Sequence, residues 1–408
     1  MREAFSFWTG HPFDFEIWVR TGYWVVRGYS PYAPLPYAPG ASFANDFGGI
    51  FHAAIGYLPF WPLLLAGIYE LYSGVGFGNR FVYYFLLKQP VIFADVLLAF
   101  VLFVYVKRYN PDLAPKVLVL WLFSPITIIV SAIWGTFDSM AMLFVMMALL
   151  APAGRARSAW EGIAAFVKSI PVIFVLPLSY SRENRWVSFA VALGVPVLLT
   201  TVIIYVAGWP VTGQQYSVIT TLANTLQEYG FPLSLWGTWV FLNIVNVIPD
   251  STFQGVIGWG VYLWIPAVVA ASLVASRWFG SETQRGLVQS LLFVILTFLL
   301  VRGQVNEQYS IYLLALLLID AALWNPKRMR LFYAVSGVII AAIVTNNILL
   351  IRFVTPIYPN ALQVETSLIA SVNLLRSVLL WVEGLAFSGL NLWYLAALAK
   401  ERRGGFEL

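Results

Sequence analysis

From residue 82 to residue 399 the sequence repeats apolar runs of membrane-spanning length, separated by short stretches that carry Lys and Arg. Such a chain has few folds open to it. In a bilayer every backbone N–H and C=O must be satisfied within the protein, so runs of this kind become helices. Only 11% of the 408 residues are charged and 60% are hydrophobic, a balance no soluble domain requires. The expected fold class is therefore all-α, a polytopic membrane protein with about 11 or 12 membrane segments. The chain has no cysteine, which excludes disulfides and thiolate metal sites, and with only His11 and His52 a histidine-rich metal centre is not expected. The net charge of +5 sits mostly in short loops, where it reports topology and implies no nucleic-acid partner.

The polar exception is the first 47 residues. His11 to Tyr37 reads HPFDFEIWVRTGYWVVRGYSPYAPLPY, with Asp14 and Glu16 beside Trp and Tyr and a Gly-Tyr-Ser-Pro-Tyr turn near its close. Asp14 to Arg27 has the pattern of a short amphipathic helix, with Asp14 and Trp18 on one face and Glu16 and Arg20 as an i,i+4 pair. The pair explains Glu16 and leaves Asp14 unexplained. Gly28 and Pro31 should stop the helix, and Pro34, Pro36 and Pro39 should keep the next stretch extended. The plain structural alternative is an amphipathic helix lying on the membrane with its acids in water. Residues 52 to 72 are apolar enough to span but carry Pro59 and Pro62, so they read either as a span or as an interfacial helix.

Basic clusters orient the rest. Lys107, Arg108 and Lys116 mark one cytoplasmic turn and Arg155 with Arg157 another, which puts Trp134-Gly-Thr-Phe-Asp138-Ser139 outside. Further spans are expected near 186–207, 232–248, 256–276, 286–302, 305–324, 330–353 and 371–399. The turn from Arg302 to Tyr309 then falls on the same side as Asp138. Residues 159–178 either cross once, leaving 208–231 in the cytoplasm, or break at Pro171 and turn back, leaving it outside.

Three stretches contain residues suited to chemistry. They are Asp14 in the first loop, Asp138 at the start of a span, and the polar turn Arg302-Gly-Gln-Val-Asn-Glu307-Gln308-Tyr309. For Asp138 the competing explanation is a helix N-cap, and for the polar turn it is solvation. Lys88, Asp95 and Lys168 fall inside apolar segments, where a lone charge costs on the order of 2.5–3.5 kcal/mol and usually pairs or lines a polar cavity. Lys88 has the option of snorkelling. Lys168, beside the break at Pro171, is the better partner for an anionic phosphate.

Taken in order, Asp14-Phe-Glu16, Arg27-Gly-Tyr-Ser-Pro-Tyr32, Ser124-Pro125 with Trp134-Gly-Thr-Phe-Asp138-Ser139, Phe166-Val-Lys168-Ser-Ile-Pro171 and Asn306-Glu307-Gln308-Tyr309 resemble the GT-C glycosyltransferases. The resemblance is greatest to the mannosyltransferases that use a polyprenyl-phosphate sugar, the group containing the catalytic subunit of GPI mannosyltransferase I and its prokaryotic relatives. It runs from about residue 11 to residue 325 and rests on order and spacing, since each motif alone is loose.

The resemblance implies a GT-C-like helical bundle in the cell membrane, with residues 1–81 as an external first loop carrying amphipathic and juxtamembrane helices and residues 82–408 as the transmembrane domain. It implies transfer of a sugar, mannose by analogy, from a polyprenyl-phosphate donor to a lipid-linked or glycan acceptor on the extracytoplasmic face, with membrane lipids around it. Asp14 matches the general base. Lys168, Arg302 and Arg80 are the candidates for the donor phosphate, and Glu16, Trp18, Tyr32, Asp138, Glu307, Gln308 and Tyr309 for substrate contacts. Two departures stand out. The family's chains normally place a transmembrane helix before the first loop, whereas this sequence starts in the loop. The acidic pair is Asp-Phe-Glu where the GPI enzymes have Asp-x-Asp, which leaves a divalent cation, Mg or Mn, open and assigns no metal ligand. The competing classes are a transporter or lipid flippase, in which Lys88, Asp95 and Lys168 line one path, and a non-catalytic membrane subunit.

Overall fold

The structure, a computed structural model, describes residues 1–33, 55–76, 79–179, 185–210, 217–220, 223, 230, 233–280 and 283–403. All regular structure among the described residues is helical. His52 and the prolines at 34, 36 and 39 lie outside them.

Two short helices, α1 (Arg2–Ser6) and α2 (Pro12–Val25), open the chain. Proline in the first turn of α2 needs no backbone donor, Asp14 in the same turn meets the positive end of the helix dipole, and Gly28, at φ +83°, closes the segment. Helix α3 (Phe60–Val75) buries Trp61, Leu65, Ile68, Tyr69 and Tyr72 against its neighbours and leaves Leu71 and Val75 exposed. It packs on α2 so closely that a Cβ at Gly22 would lie 2.7 Å from the Leu65 carbonyl oxygen. One-sided and only 16 residues long, α3 is not among the helices fit to cross a membrane. The alternative of a helix lying on the membrane with its acids in water is corrected for Glu16, which is fully buried. Residues 15–23 are buried, and Glu16 and Arg20 form their ion pair inside the protein.

The bundle follows. Helix α4 (Arg80–Lys107) is capped by the Asn79 side chain, which accepts from the Phe81 N–H at 2.9 Å. Helix α5 (Ala114–Leu122) stops at Phe123, and α6 (Pro125–Ile128) restarts at a bend of 47° and runs into a π-helical turn, Ile129–Trp134. Then come α7 (Asp138–Leu150), α8 (Arg155–Val167), a 3-10 turn (Ile170–Phe174) leading into α9 (Val175–Ser179), and α10 (Arg185–Ala207). Next are α11 (Gly237–Ile244), α12 (Asp250–Gly260), α13 (Trp264–Trp278) and α14 (Gln284–Val301). The last are α15 (Ser310–Leu323), preceded by a 3-10 turn at Glu307–Tyr309, α16 (Met329–Asn346), a 3-10 turn at Ile351–Val354, and α17 (Ala361–Arg403), which is broken at Val372.

Among the described residues, six helices are long and apolar enough to cross a membrane, or seven if α5 and α6 with its π turn form one bent span. That is fewer than the sequence predicts. The shortfall has a physical cause: several passes are too short to cross alone. Helices α7, α8 and α15 have 13, 13 and 14 residues, well under the twenty or so a bilayer needs. Helix α15 is buried from Ser310 to Ala322 on every face, as expected of a helix that is apolar all round. The predicted span at 232–248 is also corrected, since only Gly237–Ile244 is helical there.

Successive passes run alternately between two ends. At one end Tyr105 Oη meets Gln284 at 3.1 Å, Arg328 reaches Asp320 at 2.5 Å, and Glu401 accepts from Arg328 and Asn325. The other end gathers residues 9–14, 134–138, 168 and 346–353. The chain after α8 reverses at Ser169–Pro171 and returns, so that Ser179 Oγ lies 3.5 Å from Ser158 Oγ. It therefore breaks and does not cross straight through. Accordingly Trp209 rests on Tyr32, and the Gly230 N–H donates to the Gly303 carbonyl at 3.2 Å, which puts the described part of 208–231 at the same end as Asp14. The described part of the first 75 residues and the bundle share one hydrophobic core.

Candidate active site

The π-helical turn determines where the site forms. It adds a residue to the helix, and both Gly135 and Thr136 donate to the Val130 carbonyl at 3.0 Å. Gly135, at φ +87°, then ends the helix. This aims Trp134 across the bundle at α2, where its indole N–H donates to Asp14 Oδ2 at 2.6 Å.

Asp14 is the first member of a charged cluster. Burial raises its carboxyl from 3.8 to about 6, while the Trp134 hydrogen bond, Lys168 and Arg352 pull it down and Asp138 pushes it up. His11 Nδ1 lies 3.4 Å from Asp14 Oδ2, and its Nε2 lies 3.3 Å from Arg352 Nη1. Since a guanidinium only donates, Nε2 accepts and Nδ1 carries the proton, although Nδ1 makes no hydrogen bond among the described residues. Burial first, and Arg352 second, hold the imidazole well below its usual pKa, so it is neutral. Its ring stacks on Trp134, with centroids 5.0 Å apart, and Phe353 flanks both rings. Arg352 is itself held by Glu365, at 2.8 Å to each oxygen.

Lys168 and Asp138 make the second half. Helix α8 ends at Val167, and Lys168 takes an extended conformation before the chain reverses at Pro171. Its Nζ sits 2.7 Å from Asp138 Oδ2, with both side chains buried. The ammonium also lies over the rings of Phe137, Tyr57 and Tyr309, at 4.8, 5.7 and 5.9 Å. Asp138 is the first residue of α7, one position past the N-cap Phe137, and its Oδ2 is taken by Lys168, so a plain N-cap does not account for it.

The polar turn after α14 is buried, not solvated. Arg302, Glu307 and Gln308 are 5%, 1% and 6% exposed. Glu307 accepts from Asn346 at 2.9 Å, and burial raises its carboxyl above the usual range. Gln308 Oε1 is buried without a hydrogen-bond partner among the described residues, as is Tyr32 Oη.

Asp14, Asp138, Lys168 and Tyr309 thus come together, with Glu307 and Gln308 in the adjoining turn. Other candidates go elsewhere. Glu16 is paired with Arg20, and Trp18 packs edge-on against Trp61 in the core. Tyr32 is buried against Trp209. Arg302 lies over Trp264 and Arg80 over Phe81. Lys88 and Asp95 do not share a path. Lys88 donates to the Thr9 carbonyl and hydroxyl and to the Ile133 carbonyl, while Asp95 is bound by Arg2, Trp121, Ser131 and Ser139. Both fasten the first ten residues to the bundle.

Sequence reasoning missed His11, Arg352 and Tyr57. Arg352 had a signal, being the sole charge between Arg330 and Glu365. A divalent cation finds no donor set among the described residues: Asp14 and Glu16 point to different partners, Asp138 is engaged by Lys168, and no three acidic or histidine side chains gather. No protein-family model matches the chain, and no curated protein matches it.

Proposed function

We propose that the protein is a membrane-embedded inverting glycosyltransferase with a GT-C-like fold, which moves a sugar from a polyprenyl-phosphate donor to an acceptor hydroxyl at the extracytoplasmic face. One observation carries the reading: a half-buried carboxyl raised to about 6, Asp14, shares a cluster with a buried cation, Lys168, at one end of the bundle. A carboxyl in that range is mostly ionised at neutral pH yet takes a proton more readily than an ordinary aspartate, which suits a general base. The acceptor oxygen attacks C1 of the sugar, the bond from C1 to the phosphate oxygen breaks, and the phosphate leaves with the electron pair. The hydroxyl proton passes to Asp14, and Lys168 neutralises the departing phosphate, trading part of its contact with Asp138 for it. Tyr57 and Tyr309, already around Lys168, offer stacking faces for a sugar ring, and the unmet Gln308 oxygen is available to a sugar hydroxyl.

Charge supports this side of the membrane. Lys107, Arg108, Lys116, Arg155, Lys327, Arg330 and Lys400 collect at the end opposite Asp14, and an excess of such residues faces the cytoplasm. The resemblance to the mannosyltransferases points to mannose as the sugar and to a lipid-linked or glycan acceptor. A flippase that uses Lys88, Asp95 and Lys168 as one path is disfavoured, because the first two are consumed by separate structural bonds.

The test is transfer of radiolabelled mannose from polyprenyl-phosphate mannose to membrane lipid acceptors, with the wild type and Asp14→Asn. Transfer that disappears in the variant while folded protein persists supports the reading. Transfer unchanged by the substitution removes Asp14 from the chemistry, and no transfer by the wild type from any lipid-linked sugar turns the reading towards an accessory subunit.

A further inference from the structure

Helices α16 and α17 part at the basic end and leave a groove of about 720 Å³ between them, lined by Lys327, Arg330, Leu331, Ala334, Leu390 and Trp393. Its two charged lining residues are both cationic. Lys327 and Arg330 are exposed and have no acidic partner among the described residues. The nearby acids are already engaged: Asp320 binds Arg328 and Tyr394, and Glu401 binds Arg328, Arg285, Asn325 and Gln289. The rest of the lining is apolar, and Trp393 is 59% exposed.

The position decides what such a groove can hold. Both walls belong to helices fit to cross a membrane, so the groove opens on lipid, and an acyl chain fits an apolar floor between two spans. Two uncompensated cations at the rim sit at headgroup height beside an indole, the usual residue of that layer. Basic pockets between spanning helices on the cytoplasmic side suit anionic headgroups. We infer that this groove is a binding site for an anionic phospholipid, with its phosphate between Lys327 and Arg330 and an acyl chain along Leu331, Ala334, Leu390 and Trp393. The site lies at the opposite end of the bundle from Asp14 and does not depend on what that cluster does.

The test uses the full chain reconstituted in phosphatidylcholine bilayers, with spin-labelled phosphatidylglycerol or spin-labelled phosphatidylcholine as the reporter of protein-restricted lipid. The wild type should restrict phosphatidylglycerol preferentially. Lys327→Gln with Arg330→Gln should lower that preference by up to about fivefold per charge at low ionic strength and by less at high salt. Both side chains are exposed, so the variant should fold. Ala334→Phe, which fills the floor and keeps the charges, should also weaken it. Equal restriction of the two lipids by the wild type, or a preference untouched by either variant, overturns the proposal.

Discussion

The Trp134 indole N–H donates to Asp14 Oδ2 across 2.6 Å, joining residues 120 positions apart in the chain. The contact brings the end of the π-helical turn onto α2, and with it one of the charged segments onto the other.

That bond predicts a pH effect. It favours the ionised carboxylate, so Trp134→Phe should raise the Asp14 pKa further above about 6. A charge-assisted hydrogen bond of ordinary strength corresponds to roughly one pH unit. The acidic limb of the rate profile for sugar transfer should move to higher pH by that amount. An unmoved limb would separate Trp134 from the base.

Asp14 itself should trade stability for chemistry. Its folded value of about 6 lies above the unfolded 3.8, so between those values the folded chain keeps a proton the unfolded chain has lost. The contribution of Asp14 to stability therefore falls as pH rises through that window and stays low above it. Asp14→Asn should stabilise the detergent-solubilised protein at neutral pH by on the order of 2 kcal/mol, with the gain vanishing near pH 4. Thermal melts across pH check this, and a gain that persists below pH 4 would contradict it.

The Lys168–Asp138 pair should behave as a buried ion pair. Lys168→Met alone leaves Asp138 uncompensated and should cost about 3–5 kcal/mol. Adding Asp138→Asn should recover most of the fold without recovering transfer. A double variant that is active would show that the pair serves packing alone.

Gly135 should be nearly irreplaceable. A Cβ there meets Lys88 Cγ at 3.2 Å and Phe15 Cε2 at 3.3 Å, on a backbone at φ +87°. Gly76 has a similar φ of +69° but nothing within 4 Å of its Cβ position among the described residues. Gly135→Ala should therefore cost about 1–3 kcal/mol and disturb the Asp14 site, and Gly76→Ala should show the backbone cost alone. Equal losses in thermal stability would contradict the close fit around Gly135.

Orientation can be tested cleanly because the chain has no cysteine of its own. Tyr358 and Tyr109 are about half exposed at opposite ends of the bundle. Tyr358→Cys should react with an impermeant maleimide on intact cells, and Tyr109→Cys only after permeabilisation. The reverse result would put Asp14 in the cytoplasm and remove the lipid-linked donor from consideration.

Several parts of the site were legible because they are local. Asp14 and Gly28 bracket most of α2 by their own dipole and backbone preferences, though the helix starts two residues earlier, at Pro12. Gly135 and Pro171 announce the breaks beside Asp138 and Lys168. Glu16 was read two ways, and the i,i+4 pairing with Arg20 won. Arg302 and Arg80 were chosen for charge and place in the order of motifs, which carries no information on direction; in the structure each lies over an aromatic ring.

The sequence by itself determined the class of protein and its polar segments, because hydropathy, helix period and backbone preferences act over a few residues at a time. It marked Asp14, Asp138 and Lys168 as charges needing an explanation. Only the tertiary structure decided that they meet, that Lys88 and Asp95 serve as fastenings, and that His11 stands between Asp14 and an arginine 341 positions further on. Which buried charge finds which partner depends on how short helices pack among long ones, and no local pattern records that packing.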